Sequence, residues 1–402
     1  MDMKSILKIS LLVMIAFVGM VSCNKDEFTP SIYDTTDYPL DKTLSTFPLD
    51  SFVKREYLQP YNVKFIYRME DVGSDMDKNL TPAPYEKSVE LAALTKWLWF
   101  DCYATLSDEH EVFLKKYSPR IIHVIGSKNY NPTQGTETLG VAEGGIKITL
   151  YNVDNLNVND IDMMNEYFFK TMHHEFAHIL DQTHLHPTKF NLISTGQYDS
   201  MGWTEAADSV VLGKGFVSPY ASSAVSEDWV ETLAMYVTCD SVLWNKMLHT
   251  AEYDWEEVDC EDYAAYLEKI KGSNNLDTIG YFKSNENGEN KIYRRVYERN
   301  ADDTMIYDSE GKPIPKNIDG AVGRDVILEK LQMVREWLAE YFHIDLDQLR
   351  GMVQERTYVK NPDGTWALDS KGHMVNRIIQ PEGGFPRLID KLTDEIYKLK
   401  TN

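Results

Sequence analysis

Residues 174–178 read His-Glu-Phe-Ala-His, and five of the ten histidines fall between positions 173 and 186. Residues i and i+4 of a helix project from one face, so His174 and His178 can present two imidazole nitrogens to a single metal ion. Glu175 lies beside that face. A carboxylate there can take a proton from a metal-activated water and pass it to a leaving group. Zinc suits this donor pair because it acidifies water and polarises carbonyls without redox side reactions. The spacing therefore predicts Zn2+ as cofactor and hydrolysis as the chemistry, with His174 and His178 as ligands and Glu175 as general base.

Two residues compete for the third ligand position. His184 completes an HExxHxxDxxH pattern that resembles the metzincin HExxHxxGxxH, and Ser200-Met201 downstream resembles that group's methionine turn. Asp181 stands where the pattern has glycine, and a glycine there lets the chain turn sharply enough to bring the last histidine back. The other candidate is Glu227. Together with Glu231 it forms an i, i+4 acidic pair on a predicted helix over 226–238 whose apolar side holds Trp229, Val230, Leu233, Ala234 and Val237. One acid of the pair could bind the metal while the other hydrogen-bonds a ligand histidine. Glu205, in Trp203-Thr-Glu-Ala-Ala-Asp208, is a weaker contender, because Asp208 is one residue too close for same-face support.

The elements that must position these groups can be read from periodicity. Strands are expected at 63–69, 120–126 and 146–151, and a long helix at 160–182 with Phe168, Phe169, Met172, Phe176 and Leu180 on its core side. The 146–151 strand just ahead of that helix is the one expected to pair with an extended substrate. Further helices are expected over 86–105 and near 325–342. Beyond about residue 250, turn signals dominate. Asn300, Asp302, Thr304, Asp308, Ser309 and Gly311 recur 61 positions later as Asn361, Asp363, Thr365, Asp369, Ser370 and Gly372. Two hairpins built from the same turn chemistry explain that recurrence better than duplication or a calcium loop does.

The N-terminus carries an address. Lys4 and Lys8 precede an apolar run from Leu11 to Val21, which is too short to span a bilayer, and Met20-Val21-Ser22-Cys23 resembles the lipobox of bacterial lipoproteins. Cys23 is then the lipidated residue and the membrane anchor. Asn24-Lys25-Asp26-Glu27 resembles the acidic export tag of surface-displayed Bacteroidetes lipoproteins. The expected organisation is a signal peptide over 1–22, a lipidated linker over 23–58, a catalytic domain over 59–250 and a helical and hairpin region over 251–402. The net charge of −22 excludes nucleic acid as a partner and excludes charge-driven docking on anionic lipid. Cys239 and Cys260 could form a disulfide or remain buried thiols.

Taken together, HEFAH, Tyr220 and Glu227-Asp-Trp-Val-Glu231 resemble the gluzincin arrangement of the lethal-factor type. With the lipobox and Gly215–Ser222 (GFVSPYAS), the chain resembles more closely the zinc-binding metallopeptidases encoded beside TonB-linked nutrient importers in Bacteroidetes. The resemblance runs from Cys23 to about Arg356. It implies an α+β, zincin-like core, a mixed sheet with an active-site helix and a glutamate-bearing helix, followed by a helical and hairpin C-terminal region. It also implies His174, His178 and Glu227 as ligands, Glu175 as base, Tyr220 as the group stabilising the oxyanion, and Glu231 supporting a ligand from behind. Peptide, protein or glycoprotein substrates, an importer as partner and an outer-membrane, cell-surface location follow from the same resemblance. A different class of function, capture of substrate by a lipoprotein with a structural zinc, would not need the acid beside His174.

Overall fold

The computed structural model describes residues 40–69, 80–106, 110–131, 136–143, 145–258, 281–286, 289–302 and 304–401. Cys23, the signal segment and Cys260 lie outside the described residues. A four-stranded sheet backs the site, built from β1 (Lys64–Ile66), β2 (Ile121–Val124), β5 (Gly140–Glu143) and β6 (Lys147–Leu150), in the order β1-β2-β6-β5. Strands β1, β2 and β6 run parallel and β5 antiparallel, with Ile122 paired to Ile148 and Val124 to Leu150 in the buried layer. A separate hairpin joins β3 (Asn129–Asn131) to β4 (Thr136–Thr138). The strand expected to meet substrate, β6, is therefore interior, and β5 is the edge. Gly145, at φ 69°, sits at the reversal between the two and occupies the left-handed region open to glycine.

Helix α1 (Phe47–Val53) continues through a π-helical turn at Lys54–Leu58 and buries Phe47, Leu49, Phe52 and Tyr57. The second half of the expected linker is thus helical, with Phe47, Pro48, Leu49, Phe52 and Tyr57 buried and Arg55 exposed. Helix α2 (Tyr85–Thr95) also runs on through a π turn, Lys96–Phe100, and α3 is His110–Tyr117. The motif helix α4 (Lys170–Thr183) follows a lead-in at Ile161–Met164 that the Asp160 side chain caps at the Met163 N–H. The apolar face that runs from Phe168 and Phe169, in the π turn Asn165–Phe169 just ahead of it, through Met172 and Phe176 to Leu180 is buried as periodicity requires.

Helix α5 (Val225–Thr238) lies along α4 and contacts α7 (Gly323–Phe342) and α8 (Leu346–Thr357), while α6 (Ser241–Thr250) and α9 (Leu388–Tyr397) complete the helical layer. Trp229 of α5 meets Trp337 of α7 edge-on at 5.3 Å. One core joins residues on both sides of position 250, within a compact unit of residues 45–402.

The two turn-rich segments are more than hairpins. The bridges Tyr297–Pro315, Arg299–Met305 and Tyr307–Pro313 recur 61 positions on as Tyr358–Asn376, Lys360–Trp366 and Leu368–Met374. Within the first unit the N–H of Glu298 donates to Ile314, that of Ile314 to Ile306, and that of Ile306 to Glu298, closing a ring of three backbone bonds. Val359, Val375 and Ala367 form the same ring. The match continues into the next helix, where Ile327-Leu-Glu-Lys-Leu331 aligns with Leu388-Ile-Asp-Lys-Leu392. Equivalent bridges, rings and helices mark one unit used twice, which corrects the expectation of shared turn chemistry alone.

Between α5 and α7 lies a buried ion pair. Lys330 Nζ is 2.7 Å from Asp228 Oδ2, and both side chains are 0% exposed. The ammonium also donates to the Gly215 carbonyl at 2.8 Å and sits 4.1 Å above the Phe216 ring, while Tyr198 donates to the same carboxylate at 2.9 Å. Removing one member strands the other charge in the core. Lys330→Met should lower the unfolding free energy by about 3–5 kcal/mol in a denaturant titration, and adding Asp228→Asn should recover part of the loss. A loss below about 1 kcal/mol would show that water reaches the stranded carboxylate.

Candidate metal centre

His174 and His178 stand one turn apart on α4, their rings 4.9 Å apart. Glu227, in the first turn of α5, brings Oε2 to 3.1 Å from His174 Nε2 and 3.3 Å from His178 Nε2. The three candidate ligand atoms lie within 4.8 Å of one another. Two imidazole nitrogens and one carboxylate oxygen form a donor set that fits zinc and leaves a fourth position open.

Behind His174, the carboxylate of Glu231 is 1% exposed and accepts from Nδ1 at 2.8 Å. That bond holds a proton on Nδ1 and turns Nε2 toward Glu227 and His178. Ser218 Oγ donates to Glu231 at 2.7 Å, and Lys170 Nζ lies 3.4 Å from it. Burial would push the Glu231 carboxyl up, but the Lys170 charge and the His174 hydrogen bond hold it down at about 2. Burial likewise works against a charged His174, yet the bonds to Glu227 and Glu231 outweigh it and raise the imidazole to about 9. Glu227 is held far below the ordinary carboxyl range: burial opposes this, and the two histidines overcome it. The pocket is thus built to hold positive charge where the three ligand atoms converge.

Glu175 is 8% exposed and follows His174 on the helix, next to the start of β5. A Cβ at Gly140 would fall 2.3 Å from Thr171 Cγ2 and 3.7 Å from Glu175 Cγ, so glycine is what lets the edge strand lie against α4 here. The Tyr220 ring is 5.8 Å from that of His174 and is met edge-on by Trp203 at 4.9 Å. Beside these residues opens a cleft of about 560 Å³, bordered by Glu137–Gly140, the start of α4, Trp203 and Ser218–Tyr220.

Other sequence candidates lie elsewhere. His184 ends α4 in extended backbone, stacks on Tyr341 at 4.8 Å, and its carbonyl accepts from Trp337 Nε1 at 2.8 Å. Asp181 explains that path, because its carboxylate accepts from the His186 N–H at 2.7 Å and from His186 Nδ1 at 3.0 Å. The turn is fastened by the aspartate, where the metzincin pattern would bend at glycine. Met201 is 74% exposed and Glu205 is exposed at the end of the Gly202–Glu205 turn, and neither belongs to the ligand group. His173 points into the core, where Nδ1 meets the Tyr103 hydroxyl at 3.1 Å and burial lowers the imidazole to about 3. Cys239 is a buried thiol that burial pushes up to about 12. Sequence reasoning missed Lys170 and Ser218. Lys170 precedes His174 by four residues, a spacing that could have revealed it, whereas nothing in the sequence ties Ser218 to Glu231.

Residues 42–347 match the family described as "Putative zinc-binding metallo-peptidase". Among solved structures, the chain is similar to a protein of the same description from Bacteroides caccae, with 31% identity and a TM-score of 0.53, over 77% of this chain and 91% of that one. No curated protein matches.

Two outcomes follow from this geometry. Glu231→Ala should weaken zinc binding about 10–100-fold in competition with a chelator, while His184→Ala should leave it unchanged. Equal losses would place His184 among the ligands. His186 is raised chiefly by its hydrogen bond to Asp181, so its stabilising contribution is complete below the ordinary histidine pKa of about 6.5 and fades as pH climbs through the raised value. An NMR titration should show this elevation vanish in Asp181→Asn.

Proposed function

The chain belongs to the zinc-binding metallo-peptidase family and takes Zn2+ as its cofactor, and on that premise we propose that it is a peptidase whose zinc is held by His174, His178 and Glu227. The observation that carries this reading is the convergence of those three ligand atoms in front of an imidazole that buried Glu231 orients. This is the gluzincin form of the HExxH site, on a zincin-like core.

Zinc, when bound, supplies Lewis acidity toward the scissile carbonyl and brings the pKa of a water near neutrality. Glu175 takes the proton from the attacking water and returns it to the departing amine. Tyr220 donates a hydrogen bond to the carbonyl oxygen as charge builds on it. Burial first, then the Glu227 and Glu175 carboxylates, raise its phenol well above the ordinary tyrosine value, so it stays protonated as a donor. An extended peptide adds to the outer edge of β5, which no strand covers among the described residues. Gly140 sets that edge beside Glu175.

The reading includes a place of work. Met20-Val21-Ser22-Cys23 and the acidic residues after it support a lipid anchor on Cys23 and display at the outer surface, where the enzyme would trim peptides, proteins or glycoproteins for a nutrient importer. Cys23→Ala should release the protein from washed membranes.

Glu175→Gln is expected to keep one zinc per chain and the fold while turnover on a peptide-library substrate falls at least 10²–10⁴-fold. Glu227→Ala should instead lose the metal, and chelation should abolish activity reversibly. Turnover by zinc-loaded Glu175→Gln at the wild-type rate would remove Glu175 from the mechanism. Absence of turnover by the zinc-loaded wild type on every peptide and glycopeptide pool would leave substrate capture as the function.

A further inference from the structure

Tyr220 reaches the metal centre from a stretch of chain anchored on either side. Upstream, Gly215 gives its carbonyl to Lys330, and Phe216 and Val217 are buried. Downstream, Ala221 is buried and the Ser222 carbonyl accepts from the Asp199 N–H at 2.8 Å. Between these anchors Tyr220 is 37% exposed. The Pro219 carbonyl accepts from the N–H and the hydroxyl of Ser222, at 3.0 and 2.6 Å, but those bonds shape the turn Tyr220–Ser223 from within. The phenol ring meets Trp203 edge-on and lies 5.8 Å from the His174 ring. Ring contacts are satisfied over centroid separations of about 4.5–7 Å. None of these fixes where the hydroxyl stands relative to the ligands.

Ser218 supplies that tie. Its hydroxyl carries one proton and two lone pairs. Glu231 is held ionised and can only accept, and the Ala221 N–H can only donate. The proton therefore goes to Glu231 Oε2 at 2.7 Å, and a lone pair receives the Ala221 N–H at 3.1 Å. The other carboxylate oxygen, Oε1, holds His174 Nδ1 at 2.8 Å. Three consecutive hydrogen bonds thus run from the ligand imidazole to the backbone of the residue after Tyr220, and two of them are strengthened by the charge on Glu231. We infer that Ser218 is a positioning residue that couples the Tyr220 turn to the Glu231–His174 pair, so that the placement of the phenol depends on that of the imidazole. The inference rests on the reading of Tyr220 as oxyanion donor and adds a residue to that reaction.

A double-mutant cycle on one quenched fluorescent peptide, with every protein saturated with zinc, tests the coupling. Ser218→Ala should lower kcat about ten-fold and leave KM within about two-fold, because a misplaced oxyanion donor weakens transition-state binding and spares the ground state. In the Tyr220→Phe background, where the hydroxyl is gone, the same change should cost less than about two-fold. Ser218→Thr keeps the hydroxyl and should recover most of kcat. Losses of equal size in both backgrounds, no loss in either, or a Ser218→Thr enzyme no faster than Ser218→Ala overturns the inference. Coupling is reciprocal, so hydrogen exchange gives a second measurement that needs neither turnover nor a Ser218 variant. In Tyr220→Phe, loading with zinc should slow amide exchange over residues 217–224 at least about two-fold more than in helix α9. Equal slowing in the two segments overturns the coupling. If the zinc-loaded wild type cleaves no peptide, the peptidase reading fails, and the exchange result alone decides the role of Ser218.

Discussion

The buried pair between Asp228 and Lys330 decides how α5 is rolled about its own axis. Neighbouring residues of a helix point about 100° apart. With Asp228 fixed against Lys330 of α7, Glu227 and Glu231 are turned toward α4. A rotation of α5 by a fraction of a residue would withdraw both carboxylates from His174. Desolvation makes the pair costly, and burial pulls both groups toward their neutral forms, raising Asp228 and lowering Lys330. Its contribution is geometric: only one helix orientation satisfies both charges and the Gly215 carbonyl.

From that orientation the metal centre is assembled in layers. Glu231 fixes the His174 ring, Ser218 and Lys170 fix Glu231, and the Ser218 hydroxyl also accepts from the Ala221 N–H at 3.1 Å. The last contact ties the loop carrying Tyr220 to the carboxylate that orients a ligand. A single serine thus relates the position of Tyr220, the proposed oxyanion donor, to that of the three candidate ligands, while Gly140 brings the edge strand in from the opposite side.

Much of this was legible in the sequence because it is local. The HEFAH helix, its apolar face and the acidic pair at Glu227 and Glu231 all follow from helical spacing. What required the fold was non-local. The order of strands placed β5, not β6, at the edge, and a short stretch such as 140–143 gives little alternation to read. Leu49 and Phe52 look like linker beside Pro48, yet they fill core that only α9 and its neighbours complete. Asp181 was read as an obstacle to one turn and proved to be the fastening of another, since its partner His186 lies beyond the pattern being matched.

The twice-used unit has a consequence for chain path. Because Tyr297 pairs with Pro315 and Tyr358 with Asn376, each unit returns the chain to the point where it departed. All three ring bonds close within 19 residues, so their loop-closure entropy is small and they can form early, before any distant strand has docked. Each unit is therefore a detour with neighbouring entrance and exit. Its tip can lengthen, shorten or change sequence, and the helix that follows still begins in the same place, with Lys330 delivered to Asp228.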